Sequence, residues 1–490
     1  MTSTKYLTKS RFIDGLHCAK SLWLTTHNYQ AGSYSQNFAG HMGDQVGQLA
    51  TTKYPEGKKV EAPYNDHDAA VEETQKYLSD KKITAIFEAA FTFNNIKIRV
   101  DILERDQDQW NLIEVKSATN LKDHYLYDIG IQQYVLQNLG LKINSSKLMH
   151  INKDYLYQKE IDLDLLFTFH DYSKEILEIL PTLPTEVDRL YSTQDIKEEP
   201  QQEPSKSFCG DCAFWSYCTQ NKPEDWIALI PRLHKNKYTK LMEMGIESMS
   251  AIPDDFEISE NQRLVVESNK NKKRFLDKGG LQQALESIKP PVYYFDFEAL
   301  TSAIPFIDKT RPFESIPFQW SLHLNKDFKS ISHHYFLAEE KKDFRRDLVE
   351  QYLSLVGGND YPIVAYNISY EKTRLKELSN LYPDLSAQID RTIDRFVDLM
   401  LIIKDHFYDY HFYGSFSLKR VLPVLTNESG YDELEGVQDG DGAQAQFYDY
   451  INNSLNEEDR LKVKQQLLEY CEKDTYSLVQ IHQKLISLLN

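Results

Sequence analysis

The placement of cysteine constrains this chain more than any other feature. Three cysteines fall within ten residues, Cys209-x2-Cys212-x5-Cys218, and Cys18 lies far upstream. Between them runs an acidic, strand-like stretch: Asp101-Ile-Leu-Glu104, then Trp110-Asn-Leu-Ile-Glu114-Val-Lys116. Five cysteines in 490 residues are too few for a disulfide scaffold. Three close thiols suggest a bound metal in a reducing compartment. Thiolates hold Zn²⁺ or an iron–sulfur cluster equally well. Cys471 stands apart and is expected in the core of the last helix.

The length predicts two or three domains. A composition of 41% hydrophobic and 27% charged residues is globular, and 31 tyrosines supply material for several cores. The net charge of −18 excludes a broad basic coat and bulk non-specific nucleic-acid binding. It leaves room for a local basic channel, or for acids that collect divalent metal. The N-terminus lacks an apolar signal region, and no apolar run approaches the ~18–20 residues of a membrane span. The expected location is the cytoplasm.

Apolar spacing at Phe12, Leu16 and Leu22 predicts a helix over 10–24, and similar patterns predict helices over 38–54 and 66–81. Alternating runs at 85–93, 96–105 and 110–117, separated by Asn94-Asn95 and Asp106-Gln107-Asp108, predict hairpin-linked strands. A helix over 123–139 closes at Gly140, and a strand follows over 147–151. Residues 191–207 are polar and proline-bearing and are expected to form a mobile linker. A helical connector is expected over 221–289. Within it, Leu241-x-x-Met244-Gly245-Ile246 before Pro253 resembles a small DNA-backbone-binding hairpin, with a plain spacer as the simpler reading. The third region, 290–490, opens on the buried-strand run Val292-Tyr-Tyr-Phe-Asp296-Phe-Glu298 and closes in a long helix. Strands followed by interleaved helices suit an RNase H-like α/β layer.

Strand side chains alternate faces, so Glu114 and Lys116 share one while Val115 turns to the apolar side. Asp101, on the preceding strand, can lie beside them, and Glu88 on an earlier strand is a further candidate acid. Converging carboxylates bind Mg²⁺ or Mn²⁺, and a nearby ammonium stabilises developing negative charge. The competing reading is a salt bridge on a strand edge. In the third region, Asp296 and Glu298 share one strand face while Phe295 and Phe297 pack the other. Tyr470 and Asp474 are four apart on a helix, as are Asn367 and Glu371. Four acids can hold two metal ions about 4 Å apart while Tyr470 orients water.

The segments around Asp101 and Glu114-Val-Lys116, followed by Asp128-Ile-Gly-Ile-Gln132-Gln-Tyr134, resemble the core motif and glutamine–tyrosine helix of RecB-type PD-(D/E)xK nucleases. With Cys18 and the downstream cysteines, residues 1–220 resemble the iron–sulfur branch of that family. The resemblance implies metal ligands Asp101 and Glu114, with Glu88 and His41 as further members. It implies Lys116 and Gln132 as catalytic side chains, and a structural [4Fe–4S] cluster on Cys18, Cys209, Cys212 and Cys218. The family places a histidine before a Val-Gly pair; here Asp44-Gln45-Val46-Gly47 stands there, with His41 one turn earlier. Asp296-Phe-Glu298, Tyr366-Asn367-Ile-Ser-Tyr370-Glu371 and Tyr470-x3-Asp474 resemble the motifs of DEDD exonucleases, the DnaQ-like branch of the RNase H fold. There Glu371 replaces the usual aspartate. The resemblance implies metal ligands Asp296, Glu298, Glu371 and Asp474, with Tyr470 at the water. The segment Asp398-Leu-Met with Phe412-Tyr-Gly414-Ser-Phe-Ser417-Leu-Lys419 resembles uncharacterised bacterial proteins fusing the two domains; Lys419 and Arg420 either meet a phosphate or solvate a helix start. The expected function is a two-site metal-dependent nuclease acting on nucleic acid, DNA ahead of RNA. The alternatives are a nucleic-acid-binding scaffold with vestigial sites, or an RNA 3′ exonuclease.

Overall fold

In the computed structural model, which describes residues 6–33, 38–210, 212–431, 433–452 and 454–490, the alternating runs between 85 and 117 form the centre of a seven-stranded sheet. Its strands are β1 (Leu7–Thr8), β2 (Lys58–Lys59), β3 (Ala85–Phe93), β4 (Ile96–Asp106), β5 (Gln109–Lys116), β6 (Ile143–Ile151) and β7 (Phe167–Asp171). They run in the order β2-β3-β4-β5-β6-β7, with β1 pairing alongside β4. Asn94 and Asn95 turn β3 into β4 with φ of 46° and 59°, the left-handed turn that matches strand twist. β5 and β6 are parallel, so the chain crosses between them through a helix, Asp123–Asn138. Ile98, Leu112, Ile129 and Leu136 belong to the core buried between helix and sheet.

This sheet belongs to the first of two units, Met1–Gln220 with Ser302–Phe313; the second is Asn221–Thr301 with Glu314–Asn490. The helix predicted over 10–24 is two helices, α1 (Lys9–His17) and α2 (Ala19–His27). They break at Cys18, whose backbone is extended (φ −148°, ψ 111°) and whose sulfur accepts from the Ser21 N–H at 3.4 Å. A side chain that caps the next helix competes with continuing the last. α3 spans Phe38–Thr51 and α4 His67–Ser79; the crossover helix is α5. The mobile linker expected over 191–207 is tied down instead. It begins inside the helix Leu183–Asp195, and Glu199 pairs with Lys20 at 2.6 Å and accepts from Tyr217 at 2.7 Å.

Residues 221–289, expected as a connector, fold within the second unit. The helix Lys235–Glu243 ends on Met244-Gly245, with Gly245 at φ 72°. β8 (Phe275–Leu276) pairs with β14 (Phe407–Tyr408). The main sheet comprises β9 (Val292–Leu300), β10 (Ile316–Asn325), β11 (Ile331–Leu337), β12 (Ile363–Ala365) and β13 (Phe396–Asp398), ordered β11-β10-β9-β12-β13. β9 to β11 are antiparallel; β12 runs parallel to β9 and β13 to β12. The helix Glu457–Ser487 packs on β9 and β10. The protein is thus a mixed α/β chain with more than one sheet. Among the described residues no helix is long and apolar enough to cross a membrane.

Gly414 shows how closely the 221–289 segment is joined to the rest of its unit. It sits at φ 77°, and a Cβ there would strike the Leu229 carbonyl. Gly414→Ala is expected to destabilise the protein by at least about 2 kcal/mol, adding a steric clash to the left-handed backbone cost. A lowered urea midpoint with an unchanged slope is the readout.

Candidate functional site

In the first unit, β4, β5 and α5 bring three carboxylates together around two ammonium groups. Lys9, the first residue of α1, places Nζ 2.8 and 2.9 Å from the Glu114 oxygens, 3.5 Å from Asp128 and 4.0 Å from Asp101. Lys116 Nζ lies 2.6 Å from Glu114 and 2.7 Å from Asp128. Gln132 donates to Glu114 at 2.7 Å and to its own helix at the Asp128 carbonyl, 3.0 Å away. Its Oε1 is buried with no hydrogen-bond partner among the described residues. Asp101 accepts from the Val115 N–H at 2.7 Å. Burial alone would push Glu114 up, but Lys9 and Lys116 outweigh it and hold the carboxyl well below its usual range. Burial, then the charge of Glu114, pushes Asp101 up to about 7. The same two causes raise Asp128.

These groups line a cavity of about 740 Å³ that also meets Glu88, Arg99, Tyr64 and the α3 residues Ala39, Gly43, Asp44 and Gly47. Glu88 interrupts β3 with φ 56°, between the ladder pairs Phe87–Ile102 and Ala89–Val100. It therefore stands across from Asp101 and accepts from Tyr64 at 2.8 Å. A left-handed glutamate inside a strand is a strained conformation of the sort concentrated at functional sites. His41 is not among the lining residues; Asp44 is. His41 lies two residues, roughly 200° of helix turn, from both Ala39 and Gly43, so the face that meets the cavity passes it by.

In the second unit, Asp296 and Glu298 on β9 meet Asp474 from the helix Glu457–Ser487. One oxygen of each carboxylate lies within 4.8 Å of the others. Burial, then the charge of Asp474, raises both Asp296 and Glu298 well above the usual carboxylate range. Asp474 is pushed up to about 6 by burial, against the hydroxyls of Tyr431 and Tyr470 and the charge of Lys419. Glu371 is outside the 4.8 Å group, but its charge adds to those raising Asp296 and Glu298. Burial lifts Glu371 itself to about 8, and its Oε2 has no hydrogen-bond partner among the described residues. Asp398, at the end of β13, holds the approach to Glu371 by accepting from the N–H groups of Asn367 (3.1 Å) and Ile368 (3.2 Å). Asn367 there adopts φ 63°, which asparagine tolerates better than most side chains.

The four cysteines line one small pocket with Leu24, Pro204, Phe214 and Trp215. Cys18 is raised by burial and further by Cys209 and Cys212. Burial lifts Cys218 to about 11 against the charge of Lys20, and the other three thiols add to it. No three of the sulfurs fall within 4.8 Å of one another among the described residues. That is wider than the ~3.8 Å separation of thiolates bonded tetrahedrally to zinc at 2.3 Å.

A family model described as a domain of unknown function (DUF2779) matches residues 293–417. This stretch holds Asp296, Glu298, Glu371 and Asp398 and ends before Lys419, Tyr470 and Asp474. Among curated proteins, the chain is similar to the uncharacterized protein MG366 of Mycoplasma genitalium, 27% identical over 40% of this chain and 32% of that one. It is similar to the homologue in Mycoplasma pneumoniae, at 28% over the same shares. It is also similar to the uncharacterized protein UU173 of Ureaplasma parvum, at 22% over 40% and 31%. The chain thus spans about a third of the length of these relatives. A solved structure described as "Crystal structure of SSO0001" aligns with 44% of this chain and 88% of that one, at 11% identity and a TM-score of 0.24.

Three residues of these clusters escape sequence reasoning. Asp128 sits four residues before Gln132, on the same face of α5, a spacing that marks it as a partner. Lys9 and Tyr431 have no comparable signal, because each reaches its site from a segment distant in sequence. The Glu114 carboxylate accepts hydrogen bonds from Lys9, Lys116 and Gln132. Glu114→Gln leaves two ammonium groups short of charge, and the expected loss is about 3 kcal/mol of folding stability, measured by urea unfolding.

Proposed function

We propose that the chain is a metal-dependent nuclease that hydrolyses phosphodiester bonds, in DNA ahead of RNA, and carries two sites of different design. The observation that carries this reading is the Asp296–Glu298–Asp474 cluster. One oxygen from each of three acids lies within 4.8 Å of the others; burial raises all three carboxyls, and the neighbouring acids raise Asp296 and Glu298 further, so the cluster is a donor set that a cation would satisfy. Oxygens bonded to Mg²⁺ at about 2.1 Å stand at most ~4.2 Å apart, near the 4.8 Å limit on this group, and an all-oxygen donor set suits a hard divalent ion. Asp296, Glu298 and Asp474, with Glu371 beside them, would hold Mg²⁺ or Mn²⁺, and the ion would supply Lewis-acid stabilisation of the phosphoryl group. Tyr470, raised far above its usual range by burial and the neighbouring acids, keeps its proton and serves as a donor. Lys419, whose charge bears on Glu298 and Asp474, offers a counter-ion to a phosphate. Tyr370, 40% exposed with Arg374 over its ring, offers a surface on which a base can stack. The order of the β9–β13 sheet, an antiparallel meander extended by two parallel strands, supports an RNase H-like, DEDD-type assignment.

In the first unit, the β4–β5 pair carrying Asp101, Glu114 and Lys116, with α5 crossing to parallel β6, supports a PD-(D/E)xK-type site. Its candidate metal ligands are Asp101, Glu114 and Glu88, with Asp44 on α3 taking the place expected of His41. Three carboxylates already surround the Lys9 ammonium, so the site accommodates positive charge, and a divalent ion competes with Lys9 for it. One observation favours a second reading of this unit, as a structural ion-pair cluster: both Glu114 oxygens are engaged, by Lys9, Lys116 and Gln132. The four cysteines that line one pocket, Cys18, Cys209, Cys212 and Cys218, are the residues that would hold a [4Fe–4S] cluster. That cluster closes a long loop and stabilises the unit.

End-labelled single-stranded DNA, duplex DNA and RNA, with Mg²⁺ or Mn²⁺, test the function. Cleavage is expected on at least one DNA substrate, and Asp296→Asn and Asp101→Asn are each expected to remove one activity by at least 100-fold, in line with the loss of a metal-assisted step. If Asp296→Asn abolishes all cleavage while Asp101→Asn changes nothing, the first unit is the ion-pair cluster. An absence of metal-dependent cleavage on every substrate refutes the enzyme. Separately, anaerobically purified protein is expected to be brown and to lose the colour in Cys212→Ser; zinc alone by metal analysis refutes the iron–sulfur assignment.

A further inference from the structure

β10 and β11 pair with His323 directly opposite His333, so both imidazoles project from one face of the hairpin. Ser321, two residues before His323, shares that face. The helix Glu457–Ser487 packs on it and brings Glu472 and Thr475 to the histidines. One nitrogen from each ring and one Glu472 oxygen lie within 4.8 Å of one another. The rings stack with centroids 4.5 Å apart, and His333 Nδ1 is 3.5 Å from Glu472 Oε1.

The remaining ring nitrogens are occupied by hydroxyls. His323 Nδ1 meets Thr475 Oγ1 at 2.9 Å, and His333 Nε2 meets Ser321 Oγ at 2.9 Å. The two hydroxyls are 2.7 Å apart. Thr475 also reaches the helix carbonyls of Glu472 (3.2 Å) and Cys471 (3.4 Å), which can only accept. With Thr475 donating to its helix, Ser321 donates to Thr475 and each ring N–H donates to a hydroxyl. In that arrangement His323 Nε2 and His333 Nδ1 carry lone pairs beside the Glu472 carboxylate, a three-acceptor set that a cation would satisfy.

We propose that His323, His333 and Glu472 hold a divalent transition ion of the zinc class. Two imidazoles and a carboxylate suit zinc, whereas Mg²⁺ prefers oxygen alone; the site is therefore distinct in chemistry from the Asp296 cluster. Ser321 and Thr475 orient the rings, as hydroxyl and carboxylate partners do for metal-bound histidines. Glu472, with its side chain 49% exposed, leaves one side open to water. Ser321 is also the cross-strand partner of Asp296, and Asp474 follows Glu472 on the same helix. An ion here ties that helix to the hairpin beside the carboxylates.

The test is calorimetric titration of Zn²⁺ into untagged, chelator-treated full-length protein in excess Mg²⁺, which occupies the all-carboxylate sites. Wild type, His333→Ala and Glu472→Ala are compared, with Cys212→Ser as the control for zinc bound by thiols. The expected result is one equivalent lost, or weakened at least tenfold, in His333→Ala and Glu472→Ala but retained in Cys212→Ser. Equal stoichiometry with affinities within twofold of wild type in the His333 and Glu472 variants overturns the proposal, as does loss of that equivalent in Cys212→Ser alone. Circular dichroism verifies folding; should His333→Ala fail to fold, Glu472→Ala, altered on an exposed helix face, decides alone by the same criterion.

Discussion

Asp296, Glu298 and Asp474 reach one point from a strand and a helix far apart in the second unit's sequence. Burial lifts their carboxyls first, and like charges this close add to it at Asp296 and Glu298. The unit can keep them there because its other interactions fix both carriers. β9 is paired on both sides, by β10 and β12. Gln319 on β10 donates to the Leu467 carbonyl at 2.8 Å, and Phe318 stacks on Phe447 with ring centroids 3.8 Å apart. Packing free energy from these contacts offsets the electrostatic cost of the cluster, and a cation would remove that cost.

The first unit solves a similar problem differently. Its acids are matched by side chains of the protein itself, Lys9 and Lys116, so Glu114 is held ionised while Asp101 is left raised. Both carboxyls stand beside the Lys9 ammonium, yet they are shifted in opposite directions, Glu114 down and Asp101 up. One unit carries unsatisfied negative charge; the other carries its counter-ions built in.

Much of this was legible in the sequence, for physical reasons that differ by element. The strands at 85–93, 96–106 and 109–116 announced themselves through period-two alternation and asparagine or aspartate turns. Asp296 and Glu298 stood out because acids are costly in an apolar run. Other features were hidden. The helix over 10–24 gave no sign of its break, because Cys18 caps through its sulfur, a weak acceptor outside the usual capping set. β10 alternates apolar and polar residues, which ordinarily marks a solvated face. Yet Gln319, Ser321, His323 and Asn325 are all buried: a helix remote in sequence supplies partners to the first three, and Tyr294 and Phe328 bond Asn325. Lys9 was invisible for the same reason: a long-range partner leaves no local pattern.

Helix α1 has Lys9 as its first residue and ends immediately before Cys18. It is a rod of nine residues, about 13 Å at 1.5 Å per residue, with an ammonium at one end and a thiol junction at the other. One short element therefore serves two places at once: the position of α1 sets both where Cys18 enters the cysteine pocket and where the Lys9 side chain starts toward Glu114.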